Sequence, residues 1–252
     1  MRIRDPLFRA AWRQRHAFSP LAGPFLVLAT LVPVAAGAVT LDFGAALQDL
    51  EAGEKVGTVT LSNGATMRVT CSNSGGGPDV CIVFDSEEPS GGDLDLGTPN
   101  QDFGGPGKGK GGEAGAEGEN NTAFENLIII AENDADDDGD GLVDEPDDES
   151  GGGTVWLHFS HSGRLSFAIV DVDKDEDEPR VHLYKDGHHV GEVEGESLGD
   201  NSVLHLDLAA HGNVDAVKIE LDGSSGIADL KLEVEVVGTE PGTWSNVKTI
   251  FR

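Results

Sequence analysis

Residues 154–170 read Thr154-Val155-Trp156-Leu157-His158-Phe159-Ser160-His161-Ser162-Gly163-Arg164-Leu165-Ser166-Phe167-Ala168-Ile169-Val170. Val155, Leu157 and Phe159 alternate with Trp156 and His158, and Leu165, Phe167 and Ile169 continue at the same spacing. Successive side chains of a strand point to opposite faces, so a period of two marks a strand with one face in a core. The pattern recurs downstream. Val181 and Leu183 alternate with His182 and Tyr184; Leu204, Leu206 and Leu208 with His205 and Asp207; Val217, Ile219 and Leu221 with Lys218 and Glu220. Leu230, Leu232, Val234 and Val236 alternate with Lys231, Glu233 and Glu235. Upstream candidates are 39–43, 55–61, 65–70, 79–84 and 126–131. Lys185-Asp186-Gly187-His188 predicts a hairpin turn, because Asp-Gly tolerates positive φ. Helical periodicity is confined to Gly44–Ala52, where Ala45, Ala46, Leu47 and Leu50 form one amphipathic turn. About eleven short strands between frequent turns predict an all-β fold, an antiparallel β-sandwich of jelly-roll type with two sheets packed face to face.

Residues 97–124 interrupt this pattern. They are rich in Gly, with Lys108 and Lys110 as their only basic residues, and read as a long flexible surface loop. The strands before it are too few to bury a core alone, so a single sandwich domain is placed at 39–237. Cys71 and Cys81 lie on either side of a Gly-rich turn between strand-like residues, which predicts a hairpin closed by a disulfide in an oxidising compartment.

That compartment agrees with the N-terminus. A basic start leads into an apolar run from Leu21 to Val34 and then into Ala36-Gly37-Ala38. Residues 1–38 therefore read as a signal peptide with Val39 as the mature N-terminus. The apolar run is short for a membrane anchor and contains Pro24 and Pro33. The expected location is secreted or extracellular, or associated with the cell envelope, with no membrane span after cleavage.

The chain carries 46 acidic and 17 basic residues, a net charge of −29. Arg2, Arg4, Arg9, Arg13 and Arg15 lie within the expected signal peptide, so the mature chain is more acidic still. Such a surface repels phosphate backbones and anionic lipid, which excludes nucleic acid as the expected partner and favours cations. The most specific motif is Asp134-Ala135-Asp136-Asp137-Asp138-Gly139-Asp140-Gly141-Leu142-Val143-Asp144-Glu145-Pro146-Asp147-Asp148-Glu149. It holds a calcium loop in two registers. One starts at Asp136 and uses Asp136, Asp138, Asp140, the Leu142 carbonyl, Asp144 and Asp147, with Gly141 at the sharp turn. The other starts at Asp134 and uses Asp134, Asp136 and Asp138, with Gly139 at the turn and Glu145 last. A hard cation wants six to eight oxygens, and alternate residues of a tightly turning loop point inward. The Asp136 register is preferred because it places apolar Val143 where such loops anchor to a core. Pro146 opposes the exiting helix of a paired EF-hand.

A second acidic set flanks other strands: Asp85, Asp93 and Asp95 after the strand ending at Phe84, and Asp171 and Asp173 after Val170. These five are candidates for a second, shared cation site. The histidines lack zinc spacing, and no nucleophile elbow, phosphate loop or dinucleotide fingerprint is present, so no catalytic residues are assigned.

From about Val39 to Val237 the chain resembles bacterial secreted proteins that carry a PEP-CTERM sorting signal. The resemblance lies in Gly91-Gly92-Asp93-Leu94-Asp95-Leu96-Gly97-Thr98-Pro99, Glu125-Asn126-Leu127-Ile128-Ile129-Ile130, Pro146-Asp147-Asp148-Glu149, Gly151-Gly152-Gly153 and Asp171-Val172-Asp173. The acidic loop itself resembles EF-hand and thrombospondin-type-3 calcium loops. In the tail, 238–252, Glu240-Pro241-Gly242-Thr243-Trp244 is similar to the start of the sorting signal, but Ser245–Arg252 lacks its apolar helix. The resemblance implies a β-sandwich surface or matrix protein of undefined biochemical role and brings no catalytic residues; with no nucleophile or acid pair standing out, the chain is not expected to be an enzyme. Calcium is its expected ligand, and its other expected partners are an extracellular polysaccharide or a matrix protein. A carbohydrate-binding module is the alternative, and a glycan-cleaving enzyme is a more distant one.

Overall fold

A computed structural model describes residues 37–236; the expected signal peptide and the tail 238–252 lie outside or almost outside them. The strands are β1 (Gly37–Asp42), β2 (Thr58–Thr60), β3 (Thr66–Asn73), β4 (Cys81–Asp85), β5 (Asn126–Ile130), β6 (Gly153–Val172), β7 (Arg180–Lys185), β8 (His188–Glu194), β9 (Gly199–Asp207), β10 (Val214–Leu221) and β11 (Gly226–Val236). The fold is all-β, and every pairing between these strands is antiparallel.

The two predicted strands around Leu157 and Phe167 are one strand, β6, that serves two sheets. Its first half pairs with β3 (Leu157 opposite Val69) and with β10 (Leu157 opposite Val217). Its second half pairs with β11 (Leu165 opposite Leu232) and with β9 (Phe167 opposite Leu206). The change of sheet falls at Ser160–Ser162, where neither inner partner continues the register. Next to this corner the backbones approach so closely that a Cβ on Gly163 would lie 2.6 Å from the Glu233 carbonyl. Sheet I thus contains β4, β5, β11, the second half of β6 and β9, with β1 also on β11. Sheet II runs β2, β3, the first half of β6, β10, β7, β8.

The alternating residues meet between the sheets. Val69, Leu157, Val217 and Leu183 of sheet II share one buried cluster with Ile128, Leu165, Ile169, Leu204 and Leu232 of sheet I. Each such side chain contributes about 1.5–3 kcal/mol through burial. The predicted helical turn is α1 (Phe43–Leu47), capped by the Asp42 carboxylate on the Ala45 N–H at 2.8 Å. It inserts Phe43 and Leu47 into this core, with Phe43 5.6 Å from the Phe159 ring centre.

Strand β8 was not among the predicted strands. His188-His189-Val190-Gly191-Glu192-Val193-Glu194 is an exposed, polar edge strand with little apolar alternation, and it comes after the predicted turn, where Asp186 and Gly187 have φ of 51° and 75°. The cysteine prediction needs correcting in topology. Cys71 and Cys81 form a disulfide with Cα atoms 5.4 Å apart, but β3 belongs to sheet II and β4 to sheet I. The bond joins the two sheets and does not close a hairpin.

The reading of 97–124 as a flexible loop also needs correcting. Around β4, β5 and the adjoining ends of β6, β9 and β11, sheet I is apolar on both faces, whereas farther along its outer face carries Arg164, Lys231 and Glu233. Ile82, Phe84, Leu127, Ile129, Ala168, Val170, Val203 and Ala228 form a second buried cluster with Leu96 and Val143. The Gly-rich segment is part of the roof over this outer face. Its backbone is tied down by Gln101 N–H to Gly107 O (2.8 Å), Lys108 N–H to Leu94 O (2.8 Å), Gly111 N–H to Asp200 O (2.8 Å) and Val203 N–H to Gly118 O (2.9 Å). Buried Asn201 donates to Gly97 O at 2.7 Å and accepts from Asn100 Nδ2 at 2.6 Å. A Cβ on Gly109 or Gly111 would collide with the Asp200 or Gly199 carbonyl. These glycines permit close backbone approach, the use of Gly that composition alone does not separate from flexibility.

Candidate metal centres

The acidic loop between β5 and β6 is held at its base by Val143, which is 2% exposed. The Val143 N–H donates to Gly53 O at 3.0 Å, and the Gly53 N–H to Val83 O at 2.8 Å, so the loop is tied to β4 through one residue. Asp144 N–H closes it on Ala135 O at 3.1 Å. Within the loop, Asp136 accepts from the N–H groups of Gly139 (2.7 Å), Asp140 (3.1 Å) and Gly141 (3.0 Å). Gly139 and Gly141 supply φ of 80° and 96°. Carboxylate oxygens of Asp136, Asp138 and Asp144 lie within 4.8 Å of one another.

The remaining predicted ligands are distributed otherwise. Asp140 Oδ1 accepts from Leu142 N–H at 2.9 Å, and both residues line a cleft with Asp85, Asp138 and Asp144. Asp134 pairs with Lys55 at 3.2 Å and Glu145 is exposed; neither joins the cluster. Asp147, the last residue of that register, points elsewhere.

Asp147 belongs to a second cluster with Asp93 and Asp148, again within 4.8 Å. Asp148 is 6% exposed; its carboxylate accepts from Ser224 Oγ at 3.0 Å and from Ser225 N–H at 2.6 Å. Its own N–H donates to Asp93 Oδ2 at 3.2 Å. Burial pushes Asp93 up to about 9, helped by Asp147 and by the charge of Asp148. Burial likewise raises Asp148 to about 7, with Asp95 and Asp147 adding to it against the donors from Ser224 and Ser225.

A third cluster joins Asp171, Asp173 and Asp200. Asp171, at φ 63°, sits at a break in the register between β6 and β9, and its Oδ1 accepts from Asn201 N–H at 2.6 Å. Burial, then the charge of Asp95, pushes it up to about 8. Asp173 and Asp200 are raised by burial first and then by neighbouring carboxylates. Asp95 is itself raised, chiefly by burial, and its charge acts on Asp148, Asp171, Asp173 and Asp200. It therefore stands between the second and third clusters.

The five residues proposed from sequence for a shared site are thus divided. Asp93 and Asp95 come near Asp171 and Asp173 through Asp95, but around two centres. Asp85 joins neither; its carboxylate accepts from the Glu87 and Glu88 N–H groups at 2.9 and 3.2 Å and turns the chain after β4. Sequence reasoning missed Asp148 and Asp200 as members. Asp200 had a usable signal, because it lies in a strand end rich in Gly, Asp and Asn; its pairing with Asp171 comes from strand order. Among the ion pairs of the described residues, none involves Asp93, Asp95, Asp147, Asp148, Asp171, Asp173 or Asp200.

The outer face of sheet II is of another kind. Trp156 and Tyr184 come together with ring centres 5.1 Å apart, and Trp156 stacks on His158 at 5.5 Å. They line an open recess of about 580 Å³ over Ala216, rimmed by Asp186 and Asp215.

No helix of the described residues is long and apolar enough to cross a membrane. No family model matches the chain, and comparison with curated proteins finds no match.

Proposed function

We propose that this chain is an exported, calcium-binding β-sandwich module with a binding or scaffolding role in the extracellular matrix or cell envelope, and that it is not an enzyme. The observation that carries this reading is the set of buried and half-buried carboxylates around Asp93, Asp148 and Asp171, which among the described residues forms no ion pair with a cationic side chain. Two unit charges about 5 Å apart repel by about 3 kcal/mol at an effective dielectric near 20. Protons or a bound cation relieve that repulsion. Carboxylate and backbone oxygens in irregular, crowded geometry suit calcium, which tolerates six to eight ligands, better than magnesium, which holds to an octahedron and retains its water. The leader-like N-terminus, the disulfide and the resemblance to PEP-CTERM proteins point to a calcium-rich, oxidising exterior. Calorimetric titration of the purified chain tests the reading. Saturable uptake of more than one calcium per chain at millimolar concentration, reversed by chelator, is expected. Absence of uptake refutes it.

A carbohydrate-binding role is a second reading, favoured by the Trp156–Tyr184 recess. Sugar rings stack on flat aromatic faces while their hydroxyls take hydrogen bonds from flanking polar groups. Binding on a glycan array in millimolar calcium, lost in Trp156→Ala, is its test.

A further inference from the structure

Strand β8 contains one residue more than its partner β7 needs. His182 pairs with Glu192 and Leu183 with Gly191, but Tyr184 pairs with His189, which leaves Val190 as a bulge. In an unbroken ladder His189 would oppose Lys185, and its side chain would follow Val181 and Leu183 toward the core side. The extra residue reverses that parity. It turns His189 to the outer face, beside His182 and Glu192, and a bulge commonly re-aims a side chain in this way. The rings of His182 and His189 are 5.7 Å apart, and ligand atoms of His182, His189 and Glu192 all lie within 4.8 Å of one another.

A second observation concerns His182 alone. Its Nδ1 is 3.2 Å from Glu192 Oε2, and its Nε2 is 3.3 Å from Glu220 Oε2. Nε2 is shut off from water and makes no hydrogen bond of good geometry. A neutral imidazole has one N–H and one lone pair, so between two carboxylates it must turn the lone pair on an anionic oxygen. A cation on the Nδ1 side removes that conflict. Nδ1 and Glu192 then become ligands, and Nε2–H is directed to Glu220, the carboxylate–histidine–metal arrangement that fixes tautomer and ring orientation.

We propose that His182, His189 and Glu192 bind a first-row divalent transition ion of the zinc type, with Glu220 as the outer partner of His182. Two imidazoles and a carboxylate form a donor set for zinc, nickel or copper and not for calcium. The three ligands leave a fourth position open to water or to a donor from a partner. This site is independent of the acidic clusters, which lie with the roof over sheet I.

The full chain, free of any affinity tag and held in excess calcium to occupy the carboxylate sites, is titrated with zinc chloride and, in parallel, with cobalt(II). One equivalent of zinc is expected to bind, with visible cobalt absorption that zinc displaces. His189→Ala and Glu192→Gln, both at exposed positions, abolish the saturable phase, and Glu220→Gln weakens it by about 10–100-fold. Asp136→Asn leaves it unchanged. The proposal fails if the unaltered chain takes up no zinc in excess calcium. It fails equally if uptake persists undiminished in His189→Ala and Glu192→Gln.

Discussion

The outer faces of the two sheets are built from the same kind of strand and treated in opposite ways. That of sheet I is apolar where Ile82, Phe84, Leu127 and Ile129 lie under a roof of Gly-rich and acidic coil, and polar beyond it at Arg164, Lys231 and Glu233. That of sheet II is open, carrying Trp156, His158, His182 and Tyr184 with Lys218 and Glu220. The roof places carboxylates where water cannot fully solvate them, and on the proposed calcium reading this is why a cation stabilises the fold. The open face keeps its aromatic and imidazole groups available to ligands from outside. On the proposed function, stability and recognition fall to different sheets, joined by β6.

The contrast breaks most visibly if one residue beneath the roof is hollowed out. Leu127→Ala, at a fully buried position, is expected to cost about 2–5 kcal/mol in chemical denaturation. Thr70→Ala on the open face should stay within about 0.5 kcal/mol. Equal losses would mean that the roof does not seal sheet I. Reduction of the Cys71–Cys81 bond between the sheets should lower stability by about 3 kcal/mol, read from denaturation with and without reductant.

Proton linkage sharpens the contrast further. Asp93, Asp148 and Asp171 are raised to about 9, 7 and 8 from an ordinary value of 3.8. The folded state therefore holds protons that the unfolded chain has released. Their contribution is fully present below the ordinary carboxylate value and is lost as pH rises through the folded values. Calcium-free protein should accordingly melt at progressively lower temperature as pH rises from about 5 to about 9. Calcium at about a hundred times its Kd, binding the deprotonated form, should restore about 2.7 kcal/mol at the alkaline end. A flat melting profile in chelator would contradict the effect of burial on these carboxylates. The smallest effect is expected at the exposed loop. Asp136→Asn should remove one calcium from the stoichiometry and leave most of the calcium-dependent rise in melting temperature intact, because the buried clusters dominate it.

Much of this was legible in the residues. The period of two identified the alternating strands and their core faces, though not β8, and Val143 marked where the acidic loop is anchored. The runs Ile82-Val83-Phe84, Leu127–Ile130 and Ala168–Val170 were also signals, since a continuous apolar run marks a strand buried on both faces. Under that rule they require a cover over sheet I. Two features were ambiguous for a physical reason. Gly serves flexibility and close approach alike, so 97–124 could not be told apart from a linker by composition. Cysteine spacing specifies a loop length and not which sheet each end enters.

By itself the sequence determined the all-β class, the alternating core, the acidity and the local shape of the 134–144 loop, because each depends on neighbours only a few residues apart. Tertiary structure alone decided that Asp93 meets Asp148, that Asp171 meets Asp200, and that His189 turns outward to His182. Those meetings depend on strand order, on one inserted residue and on exclusion of water, which chain neighbours do not encode.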